Sequence, residues 1–345
     1  MKYSGTKGLF VGADVHRPPL NTLNYQFFTK LLFGIILLPM TGGDTVAPRY
    51  LQLNIPPELT GRTVDSLLRR HLQLSGTVIR RIKWLEDGIT VDGKRVTVRH
   101  KVREGEILSV RLTDPSSAEQ PVPTEGPLDI LYEDEDMVVI NKQPGILIHP
   151  SHGHFDDTVG NYLMWHWQQR GEESGFHPVH RLDKGTTGLL IVAKHPHGQE
   201  KLKNQLHTGA FRRLYLAVCE GVPSPSAGVI DAPIGIVDGS LMQREVRPDG
   251  QAARTHYKVH STHGSRSLLE LELETGRTHQ IRVHMAHIGH PLTGDFLYGT
   301  EDKSLISRPA LHSWQVEITH PITGKVLHFT APLPEDIQAL LTKEK

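Results

Sequence analysis

The residues with the clearest chemical content stand in one loop. His180-Arg181-Leu182-Asp183-Lys184-Gly185-Thr186-Thr187-Gly188 leads into the apolar run Leu189 to Ala193, the pattern of a loop entering a buried strand. Asp183 has Arg181 two residues before it and Lys184 directly after it, and positive neighbours favour the ionised form of an acid. An ionised carboxylate suits a nucleophile or a base better than a proton donor. The competing reading is an Asp that only orders its loop, because ion-pair networks gather charge as active sites do. Two later stretches also hold reactive side chains: Arg213-Leu214-Tyr215-Leu216-Ala217, and Gly276-Arg277-Thr278-His279-Gln280-Ile281-Arg282-Val283-His284 with Gly289-His290-Pro291-Leu292-Thr293-Gly294-Asp295 after it.

Histidine occurs 22 times, and His279, His284, His287 and His290 crowd one segment. His284 and His287 could share a helical face, but a dedicated metal site normally adds a carboxylate and orienting partners. These histidines, and His149, His152 and His154, are expected to cap, pack and contact phosphate; no metal is expected. Cys219 is the single cysteine, which excludes an internal disulfide, a Cys-based zinc site and a CxxC pair, and fits a reducing cytoplasm. Neither GxGxxG nor a Walker loop occurs, so no nucleotide cofactor is implied.

The elements that must hold these residues divide the 345-residue chain unevenly. Residues 1–49 form an extension whose apolar stretch, 27–40, is too short for a membrane span and is interrupted by Lys30 and Gly34. A compact module follows over 50–111. Its apolar stripes predict a helix over 63–74 and a second from an N-cap at Ser75 to near Gly88, then a strand entering an Asp92-Gly93 hairpin turn and another strand over 102–110. Net charge over the whole chain is zero, yet residues 62–103 carry eleven Lys and Arg against four Asp and Glu. That concentration points to a polyanionic partner, with a merely solvated charged face as the alternative. Residues 112–128 hold four prolines and no Lys or Arg, as in a linker. From 129 to 345 strands are predicted at 129–131, 137–141, 189–193 and 213–220 and a helix over 159–169, in one mixed domain.

The first module resembles the S4 RNA-binding domain, with Asp65, Leu68, Ser75, Arg81, Gly88, Val91, Gly93, Lys101, Val102 and Gly105 at its usual positions. More specifically, HRLDKGTTGLLIVAK resembles the signature of the RluA-type pseudouridine synthases. Asn141-Lys142-Gln143-Pro144-Gly145 with Ile148-His149-Pro150, the Tyr215 stretch and the two blocks from Gly276 to Asp295 agree in order. The likeness runs from about residue 60 to 335, and the layout is nearest to the ribosomal large-subunit synthase D group of that family. Arg213 stands where Lys is common and Gly185 where an acidic residue is common.

The resemblance implies an α+β pseudouridine synthase fold with a mixed, mainly antiparallel central sheet behind a small S4-like domain. It implies isomerisation of uridine in structured RNA, most of all 23S ribosomal RNA, with transfer RNA second. Asp183 falls on the family's catalytic aspartate, and either attack on C1′ or removal of the C2′ proton would use it. Arg282 would pair with Asp183 through a guanidinium fork, Tyr215 would stack on the uracil, and Arg181 would fill the space left by an extruded base. Arg62, Arg69, Arg70, Arg80, Arg81 and Lys83 would meet RNA phosphates. The reaction neither oxidises nor adds atoms, so no cofactor is expected; nor is a membrane partner, and a monomer in the cytoplasm is. The rival reading is a non-catalytic RNA-binding or ribosome-assembly protein on the same fold.

Overall fold

The computed structural model describes residues 48–113, 120–206 and 208–342. The apolar stretch 27–40, nearly all of the expected extension and residues 114–119 of the Pro-rich segment lie outside the described residues.

Helix α1 (Val64–Arg70) starts where the Thr63 hydroxyl accepts the Ser66 N–H, and α2 (Gly76–Ile82) where the Ser75 hydroxyl accepts the Val78 N–H. Both are shorter than their apolar stripes suggest. Gln73 has φ of 54°, which no right-handed helix accommodates, so the chain leaves the helix while Leu72 and Leu74 still point into the core. The helices cover a four-stranded antiparallel sheet in the order Tyr50–Asn54, Ile107–Arg111, Ile89–Val91, Lys94–Arg95. The turn between the last two has positive φ at both Asp92 and Gly93, the conformation that matches the twist of a two-residue hairpin. Leu67, Leu68, Ile79, Ile82, Leu108 and Val110 close a core separate from that of the rest of the chain. Arg49 joins the two parts through a fork to Asp136 at 2.9 and 3.2 Å, and Arg111 through Glu173.

The second part is built on a ten-stranded sheet. Its main path runs Ala227–Asp231, Arg254–His263, Arg266–Leu273, Arg212–Glu220, Leu311–Thr319, Thr187–Ala193, Met137–Lys142, Ile130–Glu133. Every pairing is antiparallel except that of Leu311–Thr319 with Thr187–Ala193, so the sheet is mixed and mainly antiparallel, as the resemblance implies. Strand alternation sorts the side chains: Val138, Ile140, Leu190 and Val192 face α3 (Val159–Gln169) and α5 (Gln280–His287), while Met137, Val139, Leu189 and Ile191 face α4 (Pro196–Gln205). The last helix, α6 (Glu335–Thr342), packs Ile337 and Leu340 against Leu216 and Val218. Strand Thr187–Ala193 is buried along its whole length, which explains an unbroken apolar run in place of an alternating one.

Residues 120–128 are docked rather than free. Asn161 on α3 donates to Val122 O at 2.8 Å, Gln120 accepts the Phe176 N–H at 2.7 Å, and Leu128 packs on the main core.

Candidate active site

The loop before Thr187–Ala193 is fastened by its carbonyls. Lys142, 2% exposed, donates from Nζ to Gln143 O, Ile146 O and Lys184 O at 2.9, 3.1 and 3.2 Å, and Gly145 N–H also meets Lys184 O at 2.8 Å. Burial pulls this ammonium down to about 7; Arg308 acts in the same direction and Asp183 against it. Arg308 holds the next carbonyl, Gly185 O, at 3.0 Å while its fork grips Asp336 on α6 at 2.7 and 2.8 Å. Where loop becomes strand, Gly188 has φ of +100°, and a Cβ there would stand 2.1 Å from Ser313 O, so only glycine lets the parallel strands close.

Asp183 lies between these anchors with its side chain 18% exposed. Arg282 and His279, both from the start of α5, approach its Oδ2 at 3.5 and 3.8 Å. The expected bidentate fork onto Asp183 is not what the structure shows. Arg282 gives Nε and Nη2 to Asp295 at 2.7 Å each, and only Nη1 is left for Asp183. Burial opposes the Arg282 charge, yet Asp295 first and Asp183 after it hold its pKa above the usual value. The reason for the pairing is burial: the Asp295 side chain is fully enclosed and would be a bare charge without a fixed cation.

Tyr215 is 4% exposed and belongs to the main core cluster, so its ring is a packed wall rather than an open stacking face. Burial raises its phenol, Arg213 and Ser313 oppose, and the Asp183 charge adds to the rise. His279, which sequence reasoning grouped with capping histidines, stands against Asp183 instead. It sits at φ of 58°, a left-handed conformation uncommon outside glycine, and its Nδ1 is 2.8 Å from the Tyr298 hydroxyl. Asp295 and Tyr298 were also given no role from sequence, although Asp295 ends the last matching block.

A family model for RNA pseudouridylate synthase matches residues 136–287. The chain is 40% identical over 273 residues, 79% of its own length and 96% of the relative's, to a Bacillus subtilis (strain 168) protein named uncharacterized RNA pseudouridine synthase YjbO. The chain belongs to the RNA pseudouridine synthase family. It is also 39% identical to the ribosomal large subunit pseudouridine synthase D of Nitrosomonas europaea, over 84% of this chain and 87% of that one. Human RNA pseudouridylate synthase domain containing 4 has a similar fold, with a TM-score of 0.51 and 27% identity over 61% of this chain and 92% of that one.

In this RNA pseudouridine synthase the other residues singled out from sequence are exposed. Arg181, in the Asp183 loop, is exposed, and burial together with its charge and that of Lys203 lowers the His149 pKa. Arg62, Arg69, Arg70, Arg80, Arg81 and Lys83 are all exposed on the first module, with Arg69 tied to Asp65 at 3.1 Å. Trp84, unremarked in the sequence although it closes the basic run, is 75% exposed, with the Lys83 ammonium 4.8 Å from its ring centre.

The histidines of the crowded segment have separate partners. His284 has Thr255 Oγ1 and Ala232 O each at 2.9 Å, and His290 has Glu220 O at 2.9 Å. Among the described residues the group spaced for a metal is Asp134, Asp136 and His320. There His320 Nδ1 accepts the N–H groups of Ile322 and Thr323, so the ring proton sits on Nε2 and points at Asp134, 2.8 Å away. A protonated nitrogen offers no lone pair to an ion.

Proposed function

We propose that this synthase converts particular uridines of structured RNA, 23S ribosomal RNA first among them, with Asp183 as the acting carboxylate and without a cofactor. The N1–C1′ bond breaks and its electron pair leaves with the uracil. The base turns, C5 joins C1′, the C5 proton departs and N1 gains one, so the product is an isomer and no oxidant or added group enters. The observation that carries the reading is Asp183 itself: a partly exposed carboxylate in a loop pinned by Lys142 and Arg308, with Arg282 and His279 turned toward one of its oxygens. A preorganised charge of this kind needs no rearrangement at the moment of reaction.

The RNA preference rests on the first module and on the relatives. The module's helix, helix, small-sheet order supports an S4-like RNA-binding domain, and its exposed cations suit phosphates while Trp84 offers a ring to an unpaired base. The Nitrosomonas europaea relative is named for the large ribosomal subunit, which favours that RNA over transfer RNA. Arg181, exposed in the loop that carries Asp183, is suited to take the place of the extruded base.

The test is mass-based mapping of pseudouridine in total RNA from cells lacking the gene and restored with wild type or Asp183→Ala. Loss at defined uridines that only wild type restores is the expected result and names the substrate. Full rescue by Asp183→Ala would remove Asp183 from the reaction.

A further inference from the structure

Two donors approach Asp183, and both end on the same oxygen. Arg282 Nη1 is 3.5 Å and His279 Nε2 3.8 Å from Oδ2, while among the described residues no hydrogen bond reaches Oδ1. Each donor is held from behind by one short turn, residues 295–298. Asp295 takes the Arg282 fork, and its Oδ1 also accepts the N–H groups of Leu297 and Tyr298 at 3.1 and 3.3 Å, closing the turn. At the other end of the turn the Tyr298 hydroxyl meets His279 Nδ1, and the Arg282 guanidinium lies 5.0 Å from the Tyr298 ring centre.

The direction of these hydrogen bonds follows from the donors available. Tyr298 Oη accepts the Arg244 N–H at 2.9 Å and still has its own proton to give, while the Asp183 carboxylate facing Nε2 can only accept, so the pairing that satisfies both puts the Tyr298 proton on the His279 Nδ1 side. A ring whose Nδ1 accepts carries its proton on Nε2, the nitrogen facing Asp183. Burial lowers the His279 pKa, with Arg282 and Arg244 in the same direction and Asp183 and Asp295 opposed, which favours the neutral ring and its single proton.

We propose that the 295–298 turn is a positioning device: through Arg282 and His279 it fixes Asp183 by Oδ2 and leaves Oδ1 as the oxygen presented to the ribose. His279, Tyr298 and Asp295 are then positioning residues that act through Asp183. This rests on the reading of Asp183 as the acting carboxylate, but its first readout does not need turnover.

Long-range proton–nitrogen correlation spectra of the histidine rings, with His279→Gln identifying the His279 signal, report the tautomer in the intact protein. Wild type is expected in the Nε2–H form, and Tyr298→Phe in a mixture. Single-turnover rates on an RNA that wild type modifies should fall about ten- to a hundredfold in Tyr298→Phe and in His279→Ala, with unchanged RNA affinity, since an ångström of misplacement costs that much. His279→Gln, which keeps a side-chain N–H, should recover part of the loss. An Nδ1–H tautomer in wild type overturns the proposal, and so do folded Tyr298→Phe and His279→Ala proteins that react at the wild-type rate. Turnover by Asp183→Asn would instead remove the underlying reading, whatever the tautomer.

Discussion

Arg282 and Asp295 form the tightest charged pair in the site, two bonds of 2.7 Å with the carboxylate wholly buried, and Asp183 receives only the nitrogen left over. The arrangement separates two jobs. Asp295 settles where the guanidinium lies, and Asp183, 18% exposed, keeps the oxygen that the proposed reaction needs. A fork given to Asp183 directly would hold both of its oxygens to one cation and lower their basicity.

Asp183→Asn preserves shape and removes charge. Pseudouridine formation should fall by on the order of a thousandfold or more, with RNA affinity within about twofold of wild type. Quantified product from a single-turnover assay, with a binding isotherm on the same RNA, checks this; substantial turnover by the variant is the failing result.

Asp295→Ala leaves the Arg282 cation buried without its fork. Breaking such a pair from one side typically costs about 3 to 5 kcal/mol, which should appear as a lower urea midpoint. Asp295→Asn, retaining an acceptor, should lie between. Wild-type stability in Asp295→Ala would mean the pair does not hold this part of the fold.

Lys142→Met should detach the loop at Gln143 and Ile146 from the one at Lys184. The carbonyls of the exposed Gln143 and half-buried Ile146 lose this donor and can turn to water, so a loss of about 1 kcal/mol in urea unfolding is expected, together with reduced turnover. Unchanged stability would show that the ammonium is dispensable to the loops.

His180 accepts the Ile191 N–H through Nε2, and burial first, then Arg213, lowers its pKa to about 3. Because the folded value lies below the unfolded 6.5, this histidine stabilises the fold fully above pH 6.5, and the contribution is lost as pH falls toward 3. By pH 5 the loss is about 2 kcal/mol. His197 and His312, lowered by burial to about 3 and 4, act the same way, so the comparison must be differential. His180→Gln should lose less stability than wild type between pH 7 and 5; identical pH dependence would exclude the assignment.

Trp84→Ala should weaken RNA binding by about 1 to 3 kcal/mol, the usual worth of one stacked base, and leave kcat unchanged. Arg80→Glu with Arg81→Glu should instead flatten the salt dependence of binding, by roughly one unit of slope for each phosphate no longer neutralised. RNA affinity insensitive to all of these substitutions would place the RNA elsewhere on the protein.

What could be read along the chain was whatever depends on near neighbours. The cap at Ser75, the Asp92-Gly93 turn, helix 159–169 and the buried strand after Gly188 all follow from local preference and apolar spacing, and their order already carried the family resemblance. The charged loop around Asp183 was legible for the same reason, since its motif is contiguous. The Arg282–Asp183 contact was legible only through the resemblance, and the fork that Arg282 gives to Asp295 was not legible at all. Arg282 lies 99 residues from Asp183 and 13 from Asp295, and only the packing of α5 beside the 295–298 turn brings both carboxylates within reach of one guanidinium. His279 became a neighbour of Asp183 through a left-handed backbone angle, and Tyr215 became a packed wall through the strands that enclose it. Which of several eligible acids, bases and rings actually meet depends on sheet closure and helix placement, which arise from contacts between segments far apart in the chain.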